Sequence, residues 1–535
     1  MGKAESVHME KSQPGVTLAN VASELQVSEA SVRNWIKTGY LERTGQGKIS
    51  EKSYRLFKSA VAGGEKLTAR ANKSLKDSHD HEGLLRNYQE KLKNGSDGSS
   101  LASEYEEKLS DSFRNREGIY YTPEAVVKSF FEFLPDDLSG MRFCDPCCGS
   151  GNFLLEAIER GVDPSNIYGF DVDPFAVAVT RKRILQRTGY ESDHIRCADF
   201  LDWSVEEHAE RFDLILTNPP WGKKLDKSQK ENLASRFAVE RSTDTSSFFL
   251  LASLECLEEN GYLGFLLQEA FFNVRAYETV RKKILSARIL ALLDFDRPFD
   301  RLMTKAQGLV IRNSSEPDSV VECKSDNAVY QRSQNSFLRN PASIFNFHIT
   351  HPESKRIDHL YSLPHITLRG RARWGMGIVT GNNKKYLRSE NEEGYLPVFR
   401  GSDIQRDGIR NPSRYLPSDM SLYQQVAPEA LYLAESKLIY RFISSELVFF
   451  CDTEQRYLLN SANCLIPDED FPVTHAQLAE ILNSRVMNWL FRSIFNTRKI
   501  LRKDLETLPI PVSYFEHHEF FNEETFALFL GLTQQ

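Results

Sequence analysis

Residues 214–225 read LILTNPPWGKKL: an apolar run stops at Asn218, Pro219 and Pro220 follow, and Trp221 comes next. Two prolines fix the backbone and remove two N–H donors. What remains is acceptors, the side-chain oxygen of Asn218 and the carbonyl of Pro219. An amine on an aromatic ring is a poor nucleophile because its lone pair is delocalised. Two stiff acceptors at its hydrogens localise that pair and aim it, which is electrostatic preorganisation. The Trp221 indole offers a surface for the ring to stack on. Such chemistry needs no metal, no general-base triad and no covalent intermediate.

A second stretch, FCDPCCGSGNFLLEAI (143–158), starts as a buried strand, turns through Gly149-Ser150-Gly151 and enters a helix at Asn152. Glycines there let the backbone approach a ligand, and the helix start offers N–H groups. The next strand ends at YGFDVDP (168–174), which puts Asp171 where a doubly wound fold meets ribose hydroxyls. A third, HIRCADF (194–200), brings Asp199 and Phe200 to the same edge, a carboxylate for an exocyclic amine and an aromatic for a ring face. A ribose-bearing cofactor is therefore expected. The dinucleotide fingerprint G-x-G-x-x-G is absent, since Phe153 and Leu154 follow the second glycine.

The Asp-Pro-x-x-Gly-x-Gly turn resembles the S-adenosylmethionine site of amino-methylating DNA methyltransferases. Asn-Pro-Pro-aromatic resembles the catalytic tetrapeptide of the N6-adenine enzymes, and the likeness runs over roughly residues 116–312. It implies S-adenosylmethionine as cofactor, with Asp145 near the methionine ammonium, Gly149 and Gly151 in the turn, Asp171 at the ribose, and Asp199 with Phe200 at the adenine ring. REGIYYTPEAVV (116–127) resembles the segment that closes over the cofactor methionine, with Tyr121, Thr122 and Pro123 matching. That segment, the glycine turn, the tetrapeptide and a C-terminal variable region follow the order of the gamma class, the TaqI-like methylases of type II restriction–modification systems. DFDRPFDRLMTKAQGLVI (294–311) resembles the family's late strand pair. Phe299 is its candidate for the ring on the other face of an adenine flipped out of the duplex. The implied catalytic set is Asn218, Pro219, Pro220, Trp221 and Phe299. The chain departs from the usual pattern in having Trp221 where Tyr is common. Cytosine-N4 enzymes share the logic with Ser in place of Asn, so Asn218 favours adenine. Cys144 and Cys147 have C-x-x-C spacing, and Pro146-Cys147 imitates the cytosine-C5 nucleophile. Both cysteines lie in the strand and turn, and packing is expected of them.

These residues need a frame. Strand and helix runs alternate from residue 118 to about 312, which predicts a Rossmann-like doubly wound α/β methyltransferase sheet over 116–345. Residues 365–515 change texture to short strands, turns and a helix. GIVTGNNKKYL, YLPVFRGSDIQ, NSANCLIP and TLPIPV resemble a gamma-class target-recognition domain of α+β type. Residues 369–388 and 485–503 contain no acid, so Arg371, Arg373, Lys384, Lys385, Arg492 and Arg498 are candidates for DNA contact. At the start, TLANVASELQVSEASVRNWIKTGYL resembles a MerR-like or excisionase-like helix-turn-helix within residues 1–65. There Ser28 is the expected N-cap, Val32 and Trp35 the buried face, and Glu29, Ser31, Arg33 and Asn34 the outer one. Residues 66–115 read as a charged helical linker and 516–535 as a tail.

A formal charge of −7 does not announce a nucleic-acid binder, but the basic stretches above are local. No apolar stretch is long enough for a bilayer, no apolar signal core opens the chain, and eight scattered cysteines suit a reducing compartment. A cytoplasmic protein without membrane partners is expected. The reading implied is a monomeric adenine-N6 methyltransferase that acts on double-stranded DNA and protects it from a separate cognate restriction endonuclease. A nuclease of its own would need clustered carboxylates; Asp97 with Glu106 and Lys108 mimics the spacing in a polar segment and is read as accidental. The rivals are a cytosine-N4 methyltransferase, a DNA-binding regulator with an idle methylase-like domain, and a methylase of RNA or protein glutamine.

Overall fold

Near-continuous apolar runs such as FDLILT suit strands buried on both faces, the condition of a parallel sheet. The computed structural model describes residues 15–25, 29–37, 41, 42, 44, 48–60, 87–92, 97–108, 122–205, 210–241, 243–299, 304–315, 319–325 and 328–532. The chain divides into two compact units, Met1–Leu267 with Arg297–Met303, and Gln268–Asp296 with Thr304–Gln535.

The first unit opens with β1 (Gly15–Val16), α1 (Leu18–Glu24), α2 (Glu29–Lys37), β2 (Ile49–Ser50) and α3 (Glu51–Ala60). Val21, Ala22, Leu25, Val32 and Trp35 are buried with Tyr54 and Phe57 of α3, and the Trp35 and Phe57 rings lie 4.7 Å apart. Glu29 and Arg33 face solvent and pair with each other at 2.7 Å. Ser28 and the side chains of Ser31 and Asn34 lie outside the described residues.

α4 (Gly98–Lys108) falls in the segment read as a linker, yet one of its faces is packed. Leu101, Ala102 and Tyr105 are buried with Phe175 and Val179 of a later helix. Asp97, part of the nuclease mimic, accepts from the Ser100 N–H at 2.9 Å and caps this helix.

α5 (Glu124–Phe131) leads to the sheet, whose parallel strands here are β3 (Phe143–Asp145), β4 (Ile167–Asp171), β5 (Ile195–Cys197), β6 (Phe212–Thr217) and β7 (Leu257–Gln268). Their order is β7-β6-β3-β4-β5. Chain progress reverses on either side of β3, so the switch point lies at the carboxyl ends of β3 and β6, where open α/β sheets bind ligands. α6 (Asn152–Glu159), α7 (Pro174–Thr188), α8 (Phe200–Trp203), α9 (Lys227–Arg236) and α10 (Thr245–Glu255) connect the strands. α7 shows how its sequence stops and starts it: Asp173 caps it, Pro174 sits in its first turn, and Gly189 ends it at φ 73°. A Cβ on Gly264 of β7 would lie 2.4 Å from Leu216 and 2.9 Å from Phe130, so glycine there lets α5 press on the sheet.

The second unit contains α11 (Glu278–Ile284), β8 (Arg288–Asp294), β9 (Ala306–Arg312), β10 (Val320–Ser325) and β11 (Ala328–Ser333), with strand order β9-β8-β10-β11. α12 (His351–Ser362), started by a Thr350–Glu353 capping box, precedes the recognition part. That part holds an antiparallel sheet of β12 (Ala372–Met376), β15 (Lys437–Arg441), β16 (Phe449–Asp452) and β18 (Ala462–Pro467), in order β12-β18-β15-β16. A smaller sheet, β14-β13-β17, is built from β13 (Tyr395–Phe399), β14 (Tyr415–Pro417) and β17 (Tyr457–Leu458). α13 (His475–Asn483) and α14 (Arg485–Phe495) share a core with the larger sheet.

Two boundaries differ from the sequence reading. Ile349, Ile357 and Leu360 share the recognition core, and so do Phe526 and Leu530 of the supposed tail. Residues 271–281 belong to this unit for a physical reason. The buried Arg281 guanidinium donates to the carbonyls of Phe271, Val274, Ala342 and Ser343 and ties the two segments together. Among the described residues no helix is long and apolar enough to cross a membrane.

Candidate active site and nucleic-acid interface

The carboxyl ends of β3 and β4, and the turn after β5, each carry an aspartate. Asp145 is 1% exposed, and its Oδ1 accepts from the Thr217 hydroxyl at 2.6 Å and the Cys147 N–H at 3.0 Å. Asp171 accepts from the Gly149 N–H at 2.8 Å and the Asp173 N–H at 2.9 Å, so the second strand end is fastened to the glycine turn. Asp199 accepts from the Leu201 N–H at 2.9 Å and caps α8. Burial pushes Asp145 up to about 7, against the Thr217 and Cys147 donors, and the charge of Asp171 adds to the rise. Burial also pushes Asp171 up to about 6 and raises Asp199. Carboxylates hindered in this way favour a ligand that brings positive charge or hydroxyl donors.

Gly149 and Gly151 have φ of 50° and 86°. The Thr180 hydroxyl donates to the Gly149 carbonyl at 2.8 Å, which holds the turn from below. Thr122 and Pro123 stand at the start of α5, and the Asn152 amide donates to the Thr122 carbonyl at 2.9 Å, drawing that segment to the start of α6. Tyr121 lies outside the described residues. Phe200 is 1% exposed and packs on Phe170, Trp203 and Phe249, so its faces are shared with the core rather than presented openly. Cys144 and Cys148 are buried, and burial pushes their thiols and that of Cys147 well up, against any thiolate chemistry.

Asn218 follows the last residue of β6, so Thr217 ties the acceptor turn directly to Asp145. Pro219 is buried, and Asn218 and Pro220 are half-buried. Trp221 is 9% exposed, and its indole N–H donates to the Leu266 carbonyl at 3.2 Å. Phe299 is 8% exposed and meets the indole edge to face, 5.7 Å between centroids. Phe299, far along the chain, is thus brought beside Trp221 of the Asn218 turn.

The sequence missed two members of this neighbourhood. Thr217 gave a weak signal, a hydroxyl closing an apolar strand. Lys223 gave none, yet its charge lowers both Asp171 and Asp199, and its carbonyl is held by the Thr245 hydroxyl at 2.6 Å.

In the second unit the six candidate DNA contacts are divided. Arg371 and Arg373 are exposed at the start of β12, where Ala372 pairs with Pro467. Lys384 and Lys385, exposed on a short helix after β12, and Arg498, exposed after α14, lie beyond the other end. Arg492 is exposed in the last turn of α14.

The N-6 DNA Methylase family matches residues 99–293, and the TaqI-like C-terminal specificity domain matches residues 396–510. The type II methyltransferase M.VspI of Vibrio sp. (strain 343) is 48% identical over 397 residues, 74% of this chain and 97% of M.VspI. The chain belongs to the N-6 DNA methylase family. It is an S-adenosylmethionine-dependent DNA adenine-N6 methyltransferase. The modification methylase CviBIII of Paramecium bursaria Chlorella virus NC1A is 28% identical over 204 residues, 38% of this chain and 51% of CviBIII. The DNA complex of the type IIL restriction–modification enzyme MmeI shares the fold at a TM-score of 0.51 and 13% identity, covering 77% of this chain and 69% of that one. The match from residue 99 takes in α4, which agrees with its packing on α7. The N-6 DNA methylase's three strand-end carboxylates fit its cofactor by charge. S-adenosylmethionine carries an ammonium, a ribose diol and an exocyclic amine, all of them donors.

Proposed function

We propose that this chain is the modification enzyme of a type II restriction–modification system. On this reading it methylates adenine N6 within one short duplex sequence and protects that site from a separate endonuclease. The observation that carries the residue assignments is the 2.6 Å bond from Thr217 to Asp145, which joins the cofactor turn to the Asn218 turn through buried groups. Asp145, Asp171 and Asp199 would hold the ammonium, ribose and adenine of the cofactor, with Gly149 and Gly151 giving close approach. Thr122 and Pro123, with Tyr121, would border the methionine end, and Phe200 would back the adenine. The cofactor, when bound, supplies a methyl group on a sulfonium sulfur. The chain's own work is to localise the amine lone pair: Asn218 Oδ1 and the Pro219 carbonyl accept from the two amino hydrogens, with Pro220 keeping the turn stiff. Trp221 and Phe299 would hold the extruded base.

A separate partner endonuclease is supported by the 48% identity to the type II methyltransferase M.VspI. Monomeric action is supported by one chain carrying both the catalytic turn and the specificity domain. Cytoplasmic work follows from a DNA substrate and from eight free thiols. The test is single-molecule sequencing of DNA from cells expressing the chain. N6-methyladenine at one defined sequence is expected, and cleavage by an endonuclease of that specificity should then be blocked. Modified cytosine, or methyl label found only in RNA or protein, would overturn the reading.

A further inference from the structure

The recognition sheet has two ends of opposite character. At one, Ala372 pairs with Pro467; at the other, Met376 pairs with Asn463 and Arg441 with Ala462. At about 3.3 Å per residue the ends lie about 13 Å apart along β12. The first end carries Arg371, but its carbonyl accepts from the N–H of Asp468, which opens the acidic run Asp468-Glu469-Asp470. Arg369, Arg371 and Arg373 therefore share that end with three acids, and its net charge is close to zero.

The other end is stitched from three segments. Residues 404–409 form a tight loop closed by an Ile404–Ile409 bridge. The Arg441 guanidinium donates twice to the Ile404 carbonyl, at 2.9 and 2.6 Å, and fixes that loop to the end of β15. Past Arg441, Ile443 bridges to Lys499, the Ser444 N–H donates to the Arg498 carbonyl at 2.9 Å, and the Ile500 N–H to the Phe442 carbonyl at 2.9 Å. Arg406, Arg410, Arg441, Arg498 and Lys499 are therefore neighbours by construction. Glu446 pairs with Arg406 at 3.0 Å and Asp407 is exposed in the same loop, so these five cations still outnumber the two acids, and Arg410, Arg498 and Lys499 are exposed and make no ion pair among the described residues. Burial, then the charges of Arg410 and Arg406, lower the pKa of the Arg441 guanidinium, so these cations repel one another in the free protein. In their midst Ile443 is 57% exposed.

Unpaired cations around one exposed branched apolar side chain match a duplex, which offers phosphates along its rims and thymine methyl groups on its major-groove floor. We propose that this end of the recognition sheet is the face that reads duplex DNA. Arg410, Arg498 and Lys499 contact phosphates, Ile443 contacts a thymine methyl, and the Arg369–Arg373 end stays off the duplex. The proposal rests on the chain being a DNA adenine methyltransferase and adds where it reads its site.

The test uses the full chain and a duplex carrying the sequence found methylated in cells. Arg410→Ala and Lys499→Ala should each weaken binding and lower the slope of log affinity against log salt by about 1. Arg369→Ala, at the acidic end, should keep the wild-type affinity and slope. Every site that contains adenine contains thymine opposite it, so thymine can be replaced by uracil one position at a time. Wild type should lose about fourfold in kcat/KM at one such position, the weight of one buried methyl group, and Ile443→Ala should be indifferent to that change. Loss of affinity in Arg369→Ala with Arg410→Ala and Lys499→Ala unaffected would overturn the assignment of the face. A wild type indifferent to uracil everywhere, or an Ile443→Ala that keeps the sensitivity, would overturn the thymine contact. If wild type transfers no methyl to any DNA, the parent reading fails instead, and the two failures are told apart in one assay.

Discussion

The indole of Trp221 and the ring of Phe299 meet edge to face, with centroids 5.7 Å apart and planes crossing at 82°. A base can lie flat on one ring and meet the other edge on, the two arrangements that aromatic groups prefer. The indole, tied by its N–H to the Leu266 carbonyl, is the fixed platform for such a base. Phe299→Ala should therefore hold a flipped base less firmly, read as a changed stopped-flow 2-aminopurine signal, and cost about 1–3 kcal/mol of contact that appears as a raised KM for DNA. Trp221→Phe keeps a ring but removes the N–H bond and part of a buried indole, so it should cost more in urea unfolding than the ~1 kcal/mol of the bond alone. Unchanged flipping kinetics and KM in Phe299→Ala would take Phe299 out of the site.

Asn218→Ala removes one of the two acceptors proposed for the amine without touching the Thr217–Asp145 bond. Methyl transfer should fall about 10²–10³-fold, the usual effect of losing one preorganised hydrogen bond at a reacting group. Cofactor affinity by calorimetry should stay near wild type. Turnover within a few fold of wild type would show that the amine is polarised by other groups.

The aspartates predict a pH dependence whose sign is fixed. The folded pKa of Asp145, about 7, lies above its ordinary value of 3.8. Between those values the folded state binds the extra proton, so this group favours folding fully below 3.8 and ceases to do so as pH rises through about 7. Asp171 acts in the same sense between 3.8 and about 6. Asp145→Asn keeps an oxygen for the Thr217 and Cys147 donors and deletes the charge. The cofactor-free variant should be more stable than wild type at pH 8, with the difference shrinking toward pH 4, while cofactor affinity drops. A stability difference that does not change with pH would contradict the raised pKa.

What the sequence made legible follows from which forces are local. The strand-ending turns at Asn218 and Gly149 could be read because prolines and glycines constrain their own backbone, and Asp171 and Asp199 because strand ends in such folds face one edge. α4 reads as a linker because Glu104, Glu107 and Lys108 make it look solvated, while Phe175 and Val179, the partners of Leu101, Ala102 and Tyr105, lie far along the chain. The six basic candidates were grouped by an absence of nearby acids in sequence. Only strand register shows that Asp468-Glu469-Asp470 neighbours Arg371 and that Arg410 and Arg441 join Arg498. Lys223 could not be found, since nothing in a Gly-Lys-Lys loop says which lysine faces the acids.

The glycine turn allows a test that separates strain from contact. At φ 86°, an alanine at 151 pays about 1–2 kcal/mol for the left-handed backbone. Its Cβ would also stand 2.9 Å from the Thr180 Cγ2. Thr180 cannot simply retreat, because its hydroxyl donates to the Gly149 carbonyl at 2.8 Å, and Gly149 in turn donates to Asp171. Gly151→Ala should therefore weaken cofactor binding by more than its loss of stability suggests, as the displaced Thr180 drags the turn. Thr180→Ser removes the crowding methyl and keeps the hydroxyl. In that background Gly151→Ala should recover part of the lost affinity, a coupling of about 0.5–3 kcal/mol for groups in contact, while the backbone strain stays. If the two substitutions are additive in calorimetry, Thr180 does not carry the effect, and the turn is sensitive to the left-handed backbone alone.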